Sequence, residues 1–256
     1  MDFDPQAHDF DARAGLAAAD PAKIAEALLS MTNLRPEDAL LEVGAGTGEV
    51  GQHLSPRVRY LGLDASREML REFRARSAEA VLLLADASHT WPVASQSVRA
   101  VFMSRVAHLL DREVLMSELF RVAHSEGCFV IIGRRYRGTG SIQRVLQGQL
   151  HALLEARGLT PRRGERDSRA LLEALVERGA QPLQTVEACR FEVTRAPADF
   201  LRNWSSKAGL SGLTLDARLK ASVLAELESW ARSQWSDLER SVVAEEHYAL
   251  MAVRIG

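Results

Sequence analysis

Leu40-Leu41-Glu42-Val43-Gly44-Ala45-Gly46-Thr47-Gly48 is the stretch that decides the fold: an apolar, strand-like run enters a turn with glycine at every second position, and a short helical stretch follows. Glycines at that spacing let the backbone bend tightly and approach a ligand without side-chain obstruction, and a following helix start offers N–H groups to a carboxylate or phosphate. A dinucleotide fingerprint, G-x-G-x-x-G, places its third glycine at position 49, which here is Glu49. Glu42 and Glu49 repel a diphosphate, so a cationic ligand suits the turn better and a nicotinamide-dependent oxidoreductase is disfavoured.

Working outward, Glu42, Asp64 and Asp86 stand 22 residues apart, at or just past the ends of apolar runs; the second run is Tyr60-Leu61-Gly62-Leu63 and the third Val81-Leu82-Leu83-Leu84-Ala85. A repeating strand-helix unit generates such an interval, and in a parallel sheet the carboxyl ends of neighbouring strands share one ligand-binding edge. Each residue also has a plain structural reading. The glycine turn can be a tight strand-helix connection, Asp64 or Ser66 can cap the helical pattern of Met69, Leu70 and Phe73, and Asp86 can be a turn residue ahead of Trp91-Pro92. The regular spacing of all three acids favours one shared crevice.

These residues resemble a known family. Glu42 to Gly48, Leu63-Asp64-Ala65-Ser66 with Met69, and Ala85-Asp86-Ala87 are similar to the three consecutive cofactor motifs of class I S-adenosylmethionine-dependent methyltransferases, over residues 39 to 132. The resemblance implies an α/β, Rossmann-like sheet of seven strands, mostly parallel with an antiparallel last strand and helices on both faces. It implies that Gly44, Ala45 and Gly46 lie against the methionine moiety of S-adenosylmethionine, with Glu42 near its amino group, usually through water. Asp64 then holds the ribose hydroxyls, Asp86 and the Ala87 N–H face the adenine edge, and Ala65 and Met69 pack on the adenine face. Ser104, directly after the expected fourth strand, joins these cofactor candidates. The implied activity is in-line methyl transfer to a small-molecule acceptor, leaving S-adenosylhomocysteine; the alternative is a non-catalytic relative that keeps the cofactor pocket for sensing or scaffolding.

The sequence also departs from the family. Where many relatives have Arg-Val-Leu-Lys-Pro-Gly-Gly, this chain reads Arg121-Val122-Ala123-His124-Ser125-Glu126-Gly127, and Arg99 replaces an acid expected before the fourth strand. At the amino terminus, Phe3 to Ala14 resembles the stretch that approaches the cofactor in small-molecule methyltransferases, through Phe10-Asp11 and Arg13. A sulfonium methyl is already electrophilic, so alignment and exclusion of water matter more than a dedicated base. His108 is the best placed base candidate, set against a histidine packed at a helix start. The seven histidines are never closer than 16 residues, which gives no local metal spacing.

Asp20-Pro21 opens a helix to about Met31, with Asp as cap and Pro at the first position. A fourth strand is expected over Ala100 to Met103, a helix over Asp111 to Ala123 and a fifth strand over Cys128 to Ile132. Helical patterns follow at about 139 to 157 and 167 to 179, then a strand over Leu183 to Phe191, helices at about 197 to 206 and 215 to 235, and a last strand near Glu246 to Arg254. The last two strands should pair antiparallel. The inserted helices are expected to cover the pocket and to bring Tyr136, His151, Trp204 and Trp235 toward a substrate, most of these aromatics being structural. Three segments result: an amino-terminal helical piece over 1–36, a cofactor-binding core over 37–135, and a carboxyl-terminal part of the same fold over 136–256.

With 256 residues, 46% of them hydrophobic, the chain can bury a substantial core. A net charge of -2 gives no reason to expect nucleic acid. Only Lys23, Lys207 and Lys220 are lysines, which leaves 29 arginines among 32 basic residues, read first as a composition bias. The clusters Arg134-Arg135-Tyr136-Arg137 and Arg162-Arg163-Gly164-Glu165-Arg166 still allow an anionic substrate. Two distant cysteines, a non-basic amino terminus and no run of membrane-span length point to the cytoplasm.

Overall fold

The computed structural model describes residue 16, residues 19–161 and residues 164–256, with side chains from 168 onward in that last stretch. Phe10, Asp11 and Arg13 lie outside the described residues, as do Arg162, Arg163 and the side chain of Arg166. The chain divides into two compact units. The first comprises Met1–Arg135, Glu165–Cys189 and Tyr248–Gly256, and the second Tyr136–Gly164 and Arg190–His247.

A single sheet organises the fold. Its strands are β1 (Ala39–Val43), β2 (Arg59–Asp64), β3 (Val81–Leu84), β4 (Ala100–Ser104), β5 (Cys128–Arg137), β6 (Gln181–Pro182), β7 (Val186–Arg195) and β10 (Val242–Ile255). Seven of them run in the order β3-β2-β1-β4-β5-β10-β6, and β7 also pairs with β10. The first five are parallel to one another, and β10 is antiparallel to β5 and β6, as the expected Rossmann-like methyltransferase sheet requires. All five residues of β1 and of β4 are buried, which is why these runs are apolar without alternation: the central strands are covered on both faces. At the β3 edge that cover ends, and Val81 and Leu84 are about half exposed.

Local chemistry starts the helices where the sequence indicates. In α1 (Pro21–Thr32) the Asp20 carboxylate accepts from the Ala22 and Lys23 N–H groups, and Asn33 closes the helix at φ 50°. Asp111 caps α4 (Arg112–Val122) in the same way, and Ser66 caps α3 (Arg67–Arg76) through Met69. Between these lies the four-residue α2 (Gly51–Leu54).

Three differences from the expected elements have physical causes. β5 continues past Ile132 to Arg137, because Gly133 leaves room for the Tyr248 hydroxyl, which stands 2.2 Å from where a Cβ would be. The strand expected over 183–191 is broken into β6 and β7, with the Leu183 N–H still bonded to Ala252 of β10. A small hairpin, β8 (Gly209–Leu210) with β9 (Leu213–Thr214), turns on Ser211 and Gly212, both left-handed at φ 48° and 78°. Two such residues match the twist of a tight hairpin.

The second unit has its own core. Leu146, Leu150 and Leu154 of α5 (Ile142–Glu155) meet Val223, Leu227 and Ala231 of α8 (Ala217–Gln234), and Trp204 of α7 (Pro197–Ser206) packs against them with Trp230 and Trp235. The two last indoles sit edge to face at 6.1 Å. Tyr136 stacks on His247 at 5.1 Å, and His151 is buried. The remaining helix, α6 (Gly164–Glu177), precedes β6. Cys128 and Cys189 are buried free thiols. No helix among the described residues is long and apolar enough to cross a membrane.

Candidate functional site

The glycine turn sits between β1 and α2, and its backbone is tied to the neighbouring strand: the Gly44 and Ala45 N–H groups both donate to the Leu63 carbonyl, at 2.8 and 3.0 Å. Gly44, Gly46 and Gly48 adopt φ of 74°, 55° and 80°, a region that costs L residues about 1–2 kcal/mol. Their surroundings differ. A Cβ on Gly44 would meet Val106 at 2.7 Å, and one on Gly48 would meet the Phe73 ring at 2.2 Å. On Gly46 it would meet nothing within 4 Å among the described residues. Two of the glycines therefore serve packing, while the third, at the carboxyl edge of the sheet, is not packed against any of the described residues.

Asp64, the last residue of β2, stands at that opening. Its Oδ2 accepts the Gly46 N–H at 2.8 Å and its Oδ1 accepts the Ser66 N–H at 2.8 Å, so one carboxylate joins the glycine turn to the start of α3. Glu42 pairs in register with Gly62, two residues before Asp64, which puts both acids on the same face of the sheet. Equal spacing in sequence does not give them equal positions. Glu42 is one residue inside the end of β1, Asp64 ends β2, and Asp86 lies two residues beyond the end of β3. Accordingly Glu42 is buried at 3% exposure, while the Asp86 side chain is 59% exposed.

Asp86 accepts from the Ser88 N–H at 2.8 Å, and that bond holds its carboxyl below the usual carboxylate range. The segment carrying it is anchored from behind by buried groups. Trp91 donates through its indole to the Ala87 carbonyl at 3.1 Å and through its backbone to Glu118 at 2.7 Å. Arg121 closes on the same Glu118 at 2.6 Å, and its hydrogen bond is the main cause of the lowered Glu118 pKa. Ala65 is exposed beside Asp64, whereas Ala45, Ala87 and Met69 are buried.

The floor behind the turn is a set of enclosed polar contacts. The Tyr60 hydroxyl donates to Glu42 at 2.6 Å. Burial pushes the Glu42 carboxyl from its ordinary 4.5 up to about 8, with the Tyr60 bond and the Arg105 charge opposing the rise. Between those values the folded chain keeps a proton on Glu42 that the unfolded chain has released. Stability therefore falls as pH rises through this window, by about 1.4 kcal/mol per pH unit from this group. Glu42→Gln is expected to remove that slope in urea titrations across the same window; a variant with the parent's slope would show that Glu42 is not its source.

Ser104 ends β4, and its hydroxyl pairs with that of Tyr248 at 2.6 Å in the interior. Arg105 follows in a left-handed conformation, φ 62°, and its Nη2 donates to Glu49 at 2.8 Å. The other Glu49 oxygen accepts the Leu16 N–H. His108 is half-buried in a 3-10 turn over Ala107–Leu109. Tyr60, Arg105 and Tyr248 escaped the sequence reading. Tyr60 lies within an apolar run and reveals its role only through the β1–β2 register, and Tyr248 is 144 residues from the serine it meets. Arg105 had one usable signal, its place directly after a central strand.

Residues 41–131 match the family model described as a methyltransferase domain. The chain is similar to the malonyl-[acyl-carrier protein] O-methyltransferase of Hamiltonella defensa, with 32% identity over 127 residues, 49% of this chain and 47% of that one. The chain spans about half the length of the curated relatives it matches. Solved structures share the fold over more of the chain. A candidate methyltransferase from Bacillus halodurans aligns with a TM-score of 0.57 at 16% identity, covering 90% of this chain and 97% of that one. A candidate type II methyltransferase from Anaeromyxobacter dehalogenans gives 0.56 at 21%, covering 91% and 95%. The glycine turn, Asp64, Asp86 and Ser104 all fall inside the stretch that matches this family model.

Proposed function

We propose that this chain transfers a methyl group from S-adenosylmethionine to a small-molecule acceptor and releases S-adenosylhomocysteine. The observation that carries the reading is the open face of Gly46 beside the Asp64 carboxylate, at the carboxyl edge of a parallel sheet. The donor set fits the cofactor: two acids near the rim can accept hydroxyl and amino hydrogens, and the bare turn admits a close backbone approach. When bound, S-adenosylmethionine supplies an electrophilic methyl carbon on a positively charged sulfur.

In this reading Gly44, Ala45 and Gly46 receive the methionine part, and Asp64 accepts from the ribose hydroxyls. Asp86 and the Ala87 N–H face the adenine edge, with Ala65 and Met69 toward its ring, and Ser104 backs the site through Tyr248. Glu42 lies beneath the turn, where it accepts the Tyr60 hydroxyl hydrogen and stands near the amino group of the methionine part. The chain's main contribution to rate is to hold donor and acceptor in line and to exclude water, with His108, following the fourth strand, as the candidate for moving a proton from the acceptor. Buried, unpaired cysteines suit a cytoplasmic setting.

The test is turnover. Purified chain with S-adenosylmethionine and a panel of small acceptors is expected to produce S-adenosylhomocysteine; the name of the malonyl-[acyl-carrier protein] relative puts malonyl compounds first in that panel. Tight cofactor binding with no product across the panel would favour the non-catalytic alternative, and binding of NAD in place of S-adenosylmethionine would overturn both.

A further inference from the structure

The sheet has a second polar concavity, at the end opposite the glycine turn. A cleft of about 420 Å³ opens where β1, β4 and β5 begin, lined among others by Arg35, Asp38, Arg99, His124, Glu126 and Arg254. Its volume falls in the range of small-ligand sites. Arg99 and the His124-Ser125-Glu126 turn are the two places where this sequence departs from the family pattern, and the fold brings both departures into one cleft.

The charges in it do not balance. Arg99 is fixed in place: its Nη1 lies 3.3 Å from the Gly127 carbonyl, 3.4 Å from Glu126 and 3.3 Å from His124 Nδ1, and its Nε lies 3.8 Å from Asp38. Both carboxylates of the lining are thus answered by Arg99. Arg254 donates to the Glu126 backbone carbonyl at 3.1 Å and sits 6.0 Å from the Phe129 ring centre. Arg35 uses its backbone N–H on Asp38 at 2.8 Å. Among the described residues neither the Arg35 nor the Arg254 guanidinium pairs with a carboxylate. His124 Nδ1 accepts the Glu126 N–H at 3.2 Å, which leaves Nε2–H as its donor. Three arginines against two carboxylates leave the lining with a net positive charge, and the two guanidinium forks not engaged by a carboxylate, with a ring N–H, are the chemistry that recognises an oxyanion.

We propose that this cleft binds a small dianion, a phosphate monoester or a dicarboxylate, between Arg35 and Arg254, with Arg99 as a fixed wall. The site is separate from the glycine turn. Asp38 and Arg99 precede β1 and β4, and the turn and Arg105 follow them, so the five residues of each strand, about 17 Å, intervene.

Calorimetric titration of the full chain with sodium phosphate, and separately with sodium succinate, at ionic strength held constant with chloride, tests this without any methyl donor present. Saturable heat with one of the two anions is expected, with phosphate identifying the monoester and succinate the dicarboxylate. Affinity should fall at least about tenfold in the Arg35→Gln/Arg254→Gln variant, with an unchanged thermal midpoint confirming its fold. The single Arg35→Gln variant should show a smaller loss if the double variant is unstable. Absence of saturable heat with both anions, or equal affinity in parent and variants, overturns the proposal.

Discussion

Asp64→Ala is expected to weaken S-adenosylmethionine binding by about 1–3 kcal/mol, roughly tenfold to over a hundredfold in Kd, because the hydrogen bonds of a charged acceptor to the ribose are lost. The substitution also strands the Gly46 and Ser66 N–H groups that the carboxylate now accepts. Asp64→Asn separates the two effects. Its amide oxygen can still take one backbone N–H, so most of the stability should return while affinity stays low. Calorimetry with S-adenosylmethionine and S-adenosylhomocysteine, alongside urea denaturation, measures both quantities. An unchanged Kd in the Ala variant would remove Asp64 from the site and, with it, the principal support for an adenosine-containing ligand.

The three glycines of the turn should respond differently to the same mutation. Gly48→Ala places a methyl 2.2 Å from the Phe73 ring in a backbone region that disfavours L residues. Strain of about 1–2 kcal/mol and overpacking of about 1–3 kcal/mol together predict a loss of about 2–5 kcal/mol in stability. Gly46→Ala meets no atom of the described residues within 4 Å and should lose only the backbone contribution. If the methionine part lies against Gly46, that variant folds and binds the cofactor poorly, whereas Gly48→Ala is damaged before any ligand is added. Thermal midpoints and Kd values for the pair check this. Full affinity in a folded Gly46→Ala variant would show that the open space is not the cofactor's.

Much of the site could be seen in the sequence because it depends on near neighbours. The turn is legible from its glycine spacing, α1 from Asp20-Pro21, and the start of α3 from Ser66 three residues ahead of Met69. The ends of β5 and β10 were not legible in the same way. Arg134 to Arg137 and Val242 to Glu245 look like loop when read alone, and they become strand through pairing within the sheet. The tryptophans of the second unit read as either pocket or core, and helix packing places them against the core.

By itself the sequence determined most of the succession of strands and helices, the position of the glycine turn and the regular spacing of the three acids, since caps, turns and apolar runs are settled over a few residues of chain. Only the tertiary structure decided which glycine is open, why Glu42 is buried under Tyr60 while Asp86 stands in solvent, and how Arg99 meets His124 at the far end of the sheet. Those outcomes depend on the register and length of strands brought together from distant segments, and a shift of one residue would turn each side chain to the opposite face.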